Sequence, residues 1–379
     1  MVSCTLYDAR VPSERSLRTE LRNLLYYGDL SFRDFVELAL YHPEFGYYSR
    51  AEDPIGKEGD YVTSPRLSPL FSFALSRLVS EFASRGGDEV STVVDVGCGD
   101  GSLLHSLYEQ SAGSRLRFYG LDRSLGRVIE GDGVQFVRTL GEVPRGGQHL
   151  LLANELFDAF PFHRLVQRGE HLHELWVTDR DGGLDWSEHE APAPFEDYFA
   201  ARDIELSDGQ FVDLSLEWES QFEEMCDFLH RGVIVVFDYG YPEKQLFDPR
   251  VRRFGTAATY RRHRVSRDLL VDPGLQDLTA HINFTDLIRA GERKGLRTVF
   301  FDRQARFLLG LGGAEHELLR PVDEREIASL EDGLGLLQQR EDAKRLLLPD
   351  GIGEDIRVLV QIRELDDTGW SFQRSLFNR

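Results

Sequence analysis

The residues best placed to do chemistry are gathered in VVDVGCGDGSLLHSLYEQ, residues 93–110. An apolar, β-branched run leads into a turn containing Gly97, Gly99 and Gly101, and a helical pattern follows. Glycine is required where a turn is tight or a ligand must approach the backbone closely. The helix start offers unpaired N–H groups and a positive dipole end to a polar or anionic ligand group. Asp122 closes the next apolar run, LRFYGLD (116–122). A carboxylate at that strand end can accept both ribose hydroxyls of a nucleoside. Two cofactor classes fit this geometry. A dinucleotide site wants Gly-x-Gly-x-x-Gly/Ala, with the third small residue over a pyrophosphate. Here that third place is Ser102, while Gly101 gives a tighter spacing. The tighter form, with Asp95 ahead of the first glycine, points to S-adenosylmethionine, whose amino-acid end Asp95 would orient. Cys98 has no cationic neighbour in sequence and reads as a small filler.

A second set lies in LLANELFDAFPFHRL (151–165), where Asn154, Glu155 and Asp158 follow the fourth strand. Ligands of open α/β sheets bind beyond the carboxyl ends of the strands. Polar groups there can hold an amine or guanidinium so that a nitrogen lone pair faces a methyl group. The chemistry is then an in-line displacement helped by proximity, with a carboxylate offsetting charge or accepting a proton. Asp238 ends a fifth run, VIVVFDYG (233–240), either orienting the site loops or serving as a buried turn residue. His263 and His281 are candidate bases or structural histidines.

These groups must be held by an alternating α/β framework. Short apolar runs at 92–97, 116–122, 134–137, 149–155 and 233–240 read as strands buried on both faces, which is how parallel sheets sit. TVFF (298–301) with ARFLLG (305–310), and IRVLVQI (356–362), read as a closing antiparallel pair. The expected fold is α/β and Rossmann-like, with a seven-stranded, mostly parallel sheet. Residues 1–88 form an N-terminal helical extension and cofactor-covering loop. Helices run within 13–50, the second stopped by Pro43 and Gly46, and over 68–84, ended by Gly86–Gly87. The sheet domain spans 89–365, and 366–379 is a peripheral tail. Insertions fall at about 164–231, with a helix at 216–229 read as a plain surface helix, and at about 241–296. The second insertion carries seven arginines between Arg250 and Arg267. They could dock an acidic partner, hold a cofactor carboxylate, or form a solvated loop. Phe45, Tyr47 and Tyr48 read as packing residues of the N-terminal cover.

The chain has 379 residues, 41% hydrophobic and 29% charged, with a net charge of −21. That field repels phosphate backbones, which argues against nucleic acid, and suits a cationic or basic protein substrate. Three scattered cysteines give neither a disulfide framework nor a metal site. There is no secretory core at the N-terminus and no membrane-length apolar run, so no membrane span and a cytoplasmic protein are expected. Oligomeric state is left open.

NELFDAFPFHRL resembles the Asn-Glu-Phe-Phe-Asp-Ala-Leu-Pro element of the MidA-like methyltransferases, a family that includes a mitochondrial protein arginine methyltransferase. YHPEFGYYSR (41–50), GDYVTSPRLSPLF (59–71), VFDYGYP (236–242), GTAATYRRHRV (255–265), DLTAHINFTDL (277–287) and LLLPDGIGEDIRVLV (346–360) are similar to further blocks of that family, in order. The resemblance implies a class I methyltransferase fold, S-adenosylmethionine as cofactor with S-adenosylhomocysteine as product, and a protein arginine as substrate. It places Gly97, Gly99, Gly101 and Asp122 at the cofactor, and Asn154, Glu155 and Asp158 at the reactive end. Thr63 and Ser64 fall in the covering loop, and His281 near the substrate entrance. The chain departs from the pattern in having Arg66 for glutamate, Asp100 for arginine and Asn283 for aspartate. It also has Thr259–Tyr260 where a cysteine is usual. The exchanges at 66 and 283 take two acids from the set a guanidinium would need. Two other readings stay open: a cofactor-binding assembly factor without turnover, and a nicotinamide oxidoreductase.

Overall fold

The computed structural model describes residues 16–49, 63–87, 89–111, 115–129, 131–262, 264–321 and 330–373. Its centre is a twisted sheet of β1 (Ser91–Val96), β2 (Leu116–Leu121), β3 (Val134–Val137), β4 (Gln148–Asn154), β5 (Gly232–Tyr241), β6 (Arg297–Arg303) and β7 (Ile356–Arg363), in the order β6-β7-β5-β4-β1-β2-β3. Strands β1 to β5 are mutually parallel, and β7 runs antiparallel between β5 and β6. A two-residue strand, Ile282–Asn283, adds to the end of β5. The sheet therefore has eight strands where the sequence suggests seven, and its expected closing antiparallel pair is β6 with β7. ARFLLG is not a strand but lies in the helix Gln304–Gly310. A short apolar run cannot be told from a buried helix by periodicity alone.

Burial on both faces explains the continuous apolar strands. Val93, Leu150 and Val235 point to a core with the helices Pro69–Arg85 and Ser102–Gln110. Their neighbours Val94, Leu151 and Val236 point to a second core with Glu217–Phe228 and Phe284–Arg293. The helix at 217–228 is thus not merely a surface element, since Trp218, Phe222 and Met225 are buried against the sheet. From β1 the chain proceeds outward through β2 and β3, then crosses to β4 on the other side of β1. The crevice at that reversal is where ligands of such sheets bind.

The first insertion folds into strands the sequence did not reveal: His163–Arg168, His171–Arg180, Gly183–Glu190 and Phe211–Leu214, joined at one edge by Leu30–Ser31. Many of their outward positions are charged or histidine, and the buried Glu174 and Asp213 interrupt the apolar alternation. The second insertion holds a three-stranded sheet of Ala258–Arg261, Arg264–Ser266 and Asp277–Thr279. Helices Leu17–Leu25 and Phe32–Tyr41 pack on both insertions through Phe162, Val177 and Leu278. The stretch after Asp366 is not peripheral: Trp370 and Phe372 are buried in the first core, and the Arg85 guanidinium lies 3.9 Å from the Trp370 ring centroid. Two aromatic residues in a short polar stretch carry no periodicity to reveal this. Among the described residues no helix is long and apolar enough to cross a membrane, and no cluster of side chains suits a metal ion.

Candidate active site

A cavity of about 630 Å³ opens at the carboxyl ends of β1, β2 and β4. Asp95, Gly97, Gly99, Asp122, Asn154, Glu155 and Thr63 all line it, and Gly101, Ser64, Asp158 and His281 do not. Gly101 instead caps the helix Ser102–Gln110 with φ near 79°, and a Cβ there would meet the Phe136 ring at 2.6 Å. Gly99, with φ near 59°, has no atom within 4 Å of where a Cβ would stand. Its bare backbone leaves that space to a ligand. Gly99 N–H donates to Asp122 Oδ2 at 3.0 Å, and Ser124 N–H donates to Asp122 Oδ1 at 2.9 Å. Asp122 thereby ties the end of β2 to the glycine loop. Burial, and then the charges of Asp122 and Asp100, push the Asp95 carboxyl up to about 7. Burial pushes the Cys98 thiol up as well, which keeps it an inert filler.

The opposite end is built from segments far apart in sequence. Glu155 sits just beyond β4 with φ near 50°, a left-handed conformation uncommon outside glycine. Its N–H donates to the Phe237 carbonyl at 2.8 Å, and its Oε1 accepts from the Ser64 N–H at 3.2 Å. Ser64 is fully buried and its Oγ accepts from Gln304 Nε2 at 2.9 Å. Asp238 Oδ2 accepts from the Phe157 N–H and Oδ1 from the Tyr239 N–H, both at 2.8 Å, so Asp238 pins the turn that carries Glu155. Tyr48 donates to Asp277 Oδ1 at 3.0 Å, and Tyr41 to the Ala159 carbonyl at 2.9 Å. Tyr48, read as a packing residue, therefore does more than pack: it lines the cavity, as does Tyr41. Four carboxyl groups are concentrated here in low dielectric. Burial, then the charge of Asp158, lifts Glu155 to about 8. Burial with Asp238 and Asp277 lifts Asp158, and burial likewise lifts Asp238. Asn154 Oδ1 is buried with no hydrogen-bond partner, an acceptor left open at the cavity.

Comparison with known proteins decides which cofactor this cavity serves. Residues 121–301 match a family described as S-adenosyl-L-methionine-dependent methyltransferase. A Burkholderia thailandensis protein, solved bound to S-adenosyl-homocysteine, is 28% identical, with 95% of each chain covered and a TM-score of 0.81. The family match and this fold together support a MidA-like methyltransferase. Its cofactor is S-adenosylmethionine, and the nicotinamide reading falls. A second structure from Burkholderia thailandensis, in native form, is 26% identical over 94% of this chain and 93% of its own, with a TM-score of 0.78. The Drosophila melanogaster protein arginine methyltransferase NDUFAF7 homolog, mitochondrial, is 26% identical over 74% of this chain and 71% of its own. The human protein arginine methyltransferase NDUFAF7, mitochondrial, is 24% identical over 75% and 71%. These mitochondrial relatives overturn the expectation of a cytoplasmic protein. A missing secretory core and a missing apolar span bear on secretion and membrane insertion, whereas mitochondrial import is read from amphipathic, arginine-rich segments.

The departures from the MidA-like pattern take on a different meaning in three dimensions. Arg66 Nη2 contacts Asp100 Oδ2 at 2.5 Å, so two of the exchanges form one ion pair across the cavity wall. Asn283 is fully buried away from the cavity, where its Oδ1 caps the helix Phe284–Arg293 at Thr285 N–H. Its Nδ2 donates to the Tyr198 hydroxyl and to Asp286 Oδ2. The expected loss of two acids from a guanidinium site is therefore not what these positions record. His281 is corrected too. It packs on Tyr239 and Tyr241 outside the cavity. Burial with Arg252, Arg267 and Arg357 holds it down at about 4, neutral and weakly basic. His263 and most of the loop before Thr63 lie outside the described residues. Sequence reasoning missed Gln304 and Asp277. Asp277 stood in a family block, whereas nothing marked Gln304.

Proposed function

We propose that this S-adenosylmethionine-dependent methyltransferase methylates a guanidinium nitrogen of an arginine on a protein. The observation that carries the reading is Glu155, a carboxyl facing the cavity from a strained turn, backed by Asp158, Asp238 and Asp277. An arginine side chain is the cation that such a dry acidic recess would hold, through two parallel N–H···O bonds. The mitochondrial arginine methyltransferases among the relatives support the same acceptor.

The residues present fit the cofactor. Asp122 would take the ribose hydroxyls, Asp95 and the bare backbone at Gly97 and Gly99 would receive the amino-acid end, and the unpartnered Asn154 Oδ1 would accept from it. Thr63 would close the cavity from above, with Ser64 and Gly101 supporting from behind. When bound, the cofactor supplies an electrophilic sulfonium methyl. Glu155 would orient the acceptor nitrogen toward it and take up the proton released as the N–C bond forms. Asp158 and Asp238 would act behind Glu155, keeping its turn fixed and its surroundings acidic. The same reading divides the chain into a cover (1–88), a transferase domain (89–365) with two insertions, and a C-terminal segment (366–379).

Incubation with labelled S-adenosylmethionine and an arginine-containing peptide tests this. Acid hydrolysis should then release labelled methylarginine. Label on lysine, a carboxyl group or a small molecule would replace the arginine reading, and cofactor binding with no transfer to any acceptor would revive the assembly-factor reading.

A further inference from the structure

We propose that the arginine-rich hairpin of the second insertion docks an acidic segment of the methyl-acceptor protein beside the target arginine. The proposal rests on the acceptor reading given above. Between Arg250 and Arg267 there are seven arginines and no acid, in a chain of net charge −21. Asp248 and Asp272, just outside the stretch, pair with Arg250 and Arg261. Among the described residues, Arg252, Arg253, Arg264 and Arg267 make no ion pair. Arg253 and Arg267 donate only to the carbonyls of Asp208 and Gly255, which leaves their charge uncompensated. Apolar side chains are interleaved with them: Val251, Phe254 and Val265 are 69, 62 and 63% exposed. Exposed apolar groups set among unneutralised cations are the composition of a binding face rather than of a solubilising one.

Position links this face to the chemistry. Strand Arg264–Ser266, exposed at all three residues, forms the outer edge of the small sheet and pairs only with Ala258–Arg261. The inner edge is Asp277–Thr279, whose Asp277 belongs to the acidic recess, and Tyr260 pairs directly with Asp277. The charges of Asp158, Asp277 and Glu155 all reach the Tyr260 hydroxyl. One small sheet therefore presents Arg264 on its outer strand, followed by the exposed Arg267, and a carboxylate on its inner strand. A segment laid along the outer rim with its own acids would bring a neighbouring arginine to Glu155. The complementary charges would also keep a uniformly basic peptide from docking there.

The test uses the full chain loaded with S-adenosylhomocysteine and a fluorescein-labelled peptide holding one arginine between two runs of glutamate. Fluorescence anisotropy should show this peptide binding at least about tenfold tighter than its glutamine-flanked counterpart at low salt, an advantage that shrinks as salt screens it. Arg253→Glu/Arg264→Glu should remove most of that advantage. The variant should leave S-adenosylhomocysteine affinity and methylation of the glutamine-flanked peptide within about twofold, as expected for exposed changes remote from the cofactor. Unchanged acidic-peptide binding in the variant would overturn the proposal. So would oligouridylate competing as strongly as the acidic peptide, or light scattering showing that these arginines hold two copies of this chain together. Hairpin-dependent binding with no arginine methylation would instead sink the acceptor reading and leave the docking surface standing.

Discussion

The two ends of the cavity are built on opposite plans. The proposed cofactor end is local: Asp95, Gly97 and Gly99 line the cavity from one stretch, with Gly101 capping the helix behind them, and Asp122 comes from the next strand. Backbone geometry does most of its work, through bare N–H groups and a helix start. The proposed acceptor end is assembled from Ser64, Glu155, Asp238, Asp277 and Gln304, which only the complete fold brings together. Its property is collective, since burial and mutual repulsion raise several carboxyl groups at once. Local construction suits a constant ligand, and distributed construction lets the acceptor side change while the donor side stays.

The sharpest way to separate the two ends is Glu155→Gln. The amide keeps the size and can still accept from the Ser64 N–H, but it cannot take up a proton or pair with a guanidinium as a charge. The rate of transfer should fall by at least about 100-fold, the scale of losing a positioned acid–base group. S-adenosylhomocysteine affinity, read by calorimetry, should stay within about twofold if the two ends are independent. A parallel loss of cofactor affinity would erase the distinction.

The converse variant, Asp122→Ala, should strike the donor end first. It removes the proposed charge-assisted bonds to the ribose and the tie to Gly99 N–H. The expected cost is about 1.5–3 kcal/mol in cofactor binding, or roughly 10- to 150-fold in Kd. With cofactor at saturation the acceptor KM should barely move. An unchanged Kd would remove Asp122 from the cofactor site.

These expectations also show what the sequence could and could not disclose. The glycine loop, Asp122 and the Asn154–Glu155 pair were legible because each lies at the end of a continuous apolar strand, where position in an α/β sheet is nearly dictated by the pattern. Gln304 was invisible, for it falls between two segments read as strands, and its partner Ser64 is 240 residues away. The strands of the first insertion were hidden by their polar outward faces, whereas the antiparallel pair that closes the main sheet was legible as two late apolar runs. For His281 the family block named a neighbourhood, whereas which way its ring packs, against Tyr239 and Tyr241 outside the cavity, depends on the fold.

Titration offers a third contrast. In the protein without ligands, Glu155 at about 8 is largely protonated at neutral pH. A guanidinium pairs with the carboxylate, so acceptor binding must expel that proton. The kcat/KM for a peptide acceptor should rise about tenfold per pH unit up to about 8 and then level, a limb that Glu155→Gln removes. Stability runs the other way. Asp95 at about 7 and Glu155 at about 8 hold protons that the unfolded chain, with carboxyls near about 4, has lost. The folded state binds more protons over that window, so stability is fullest below about 4 as far as these two groups go, and is lost as pH rises through 7 to 8. Thermal melts of the ligand-free protein across that window should show the fall, and a Tm that rises with pH from 5 to 8 would contradict it.

The smallest effect probes where the two ends are joined. Arg66, from the covering segment, meets Asp100 of the glycine loop, and each side chain is only about a fifth exposed. The family pattern has an acid at the first position and arginine at the second, so the charges here are exchanged, and in this chain the two side chains pair. Arg66→Glu alone should set two carboxylates against each other at the cavity wall and weaken S-adenosylhomocysteine binding several-fold. Asp100→Arg alone should do the same with two cations, and it also forfeits the bond that Asp100 Oδ1 accepts from Ser102 N–H. The double variant restores opposite charges. It should bind better than either single variant, with a coupling of about 1–2 kcal/mol in the double-mutant cycle. Additive losses would mean that Arg66 and Asp100 act separately, and the cover would then be held down by the Ser64–Glu155 and Ser64–Gln304 bonds of the acceptor end.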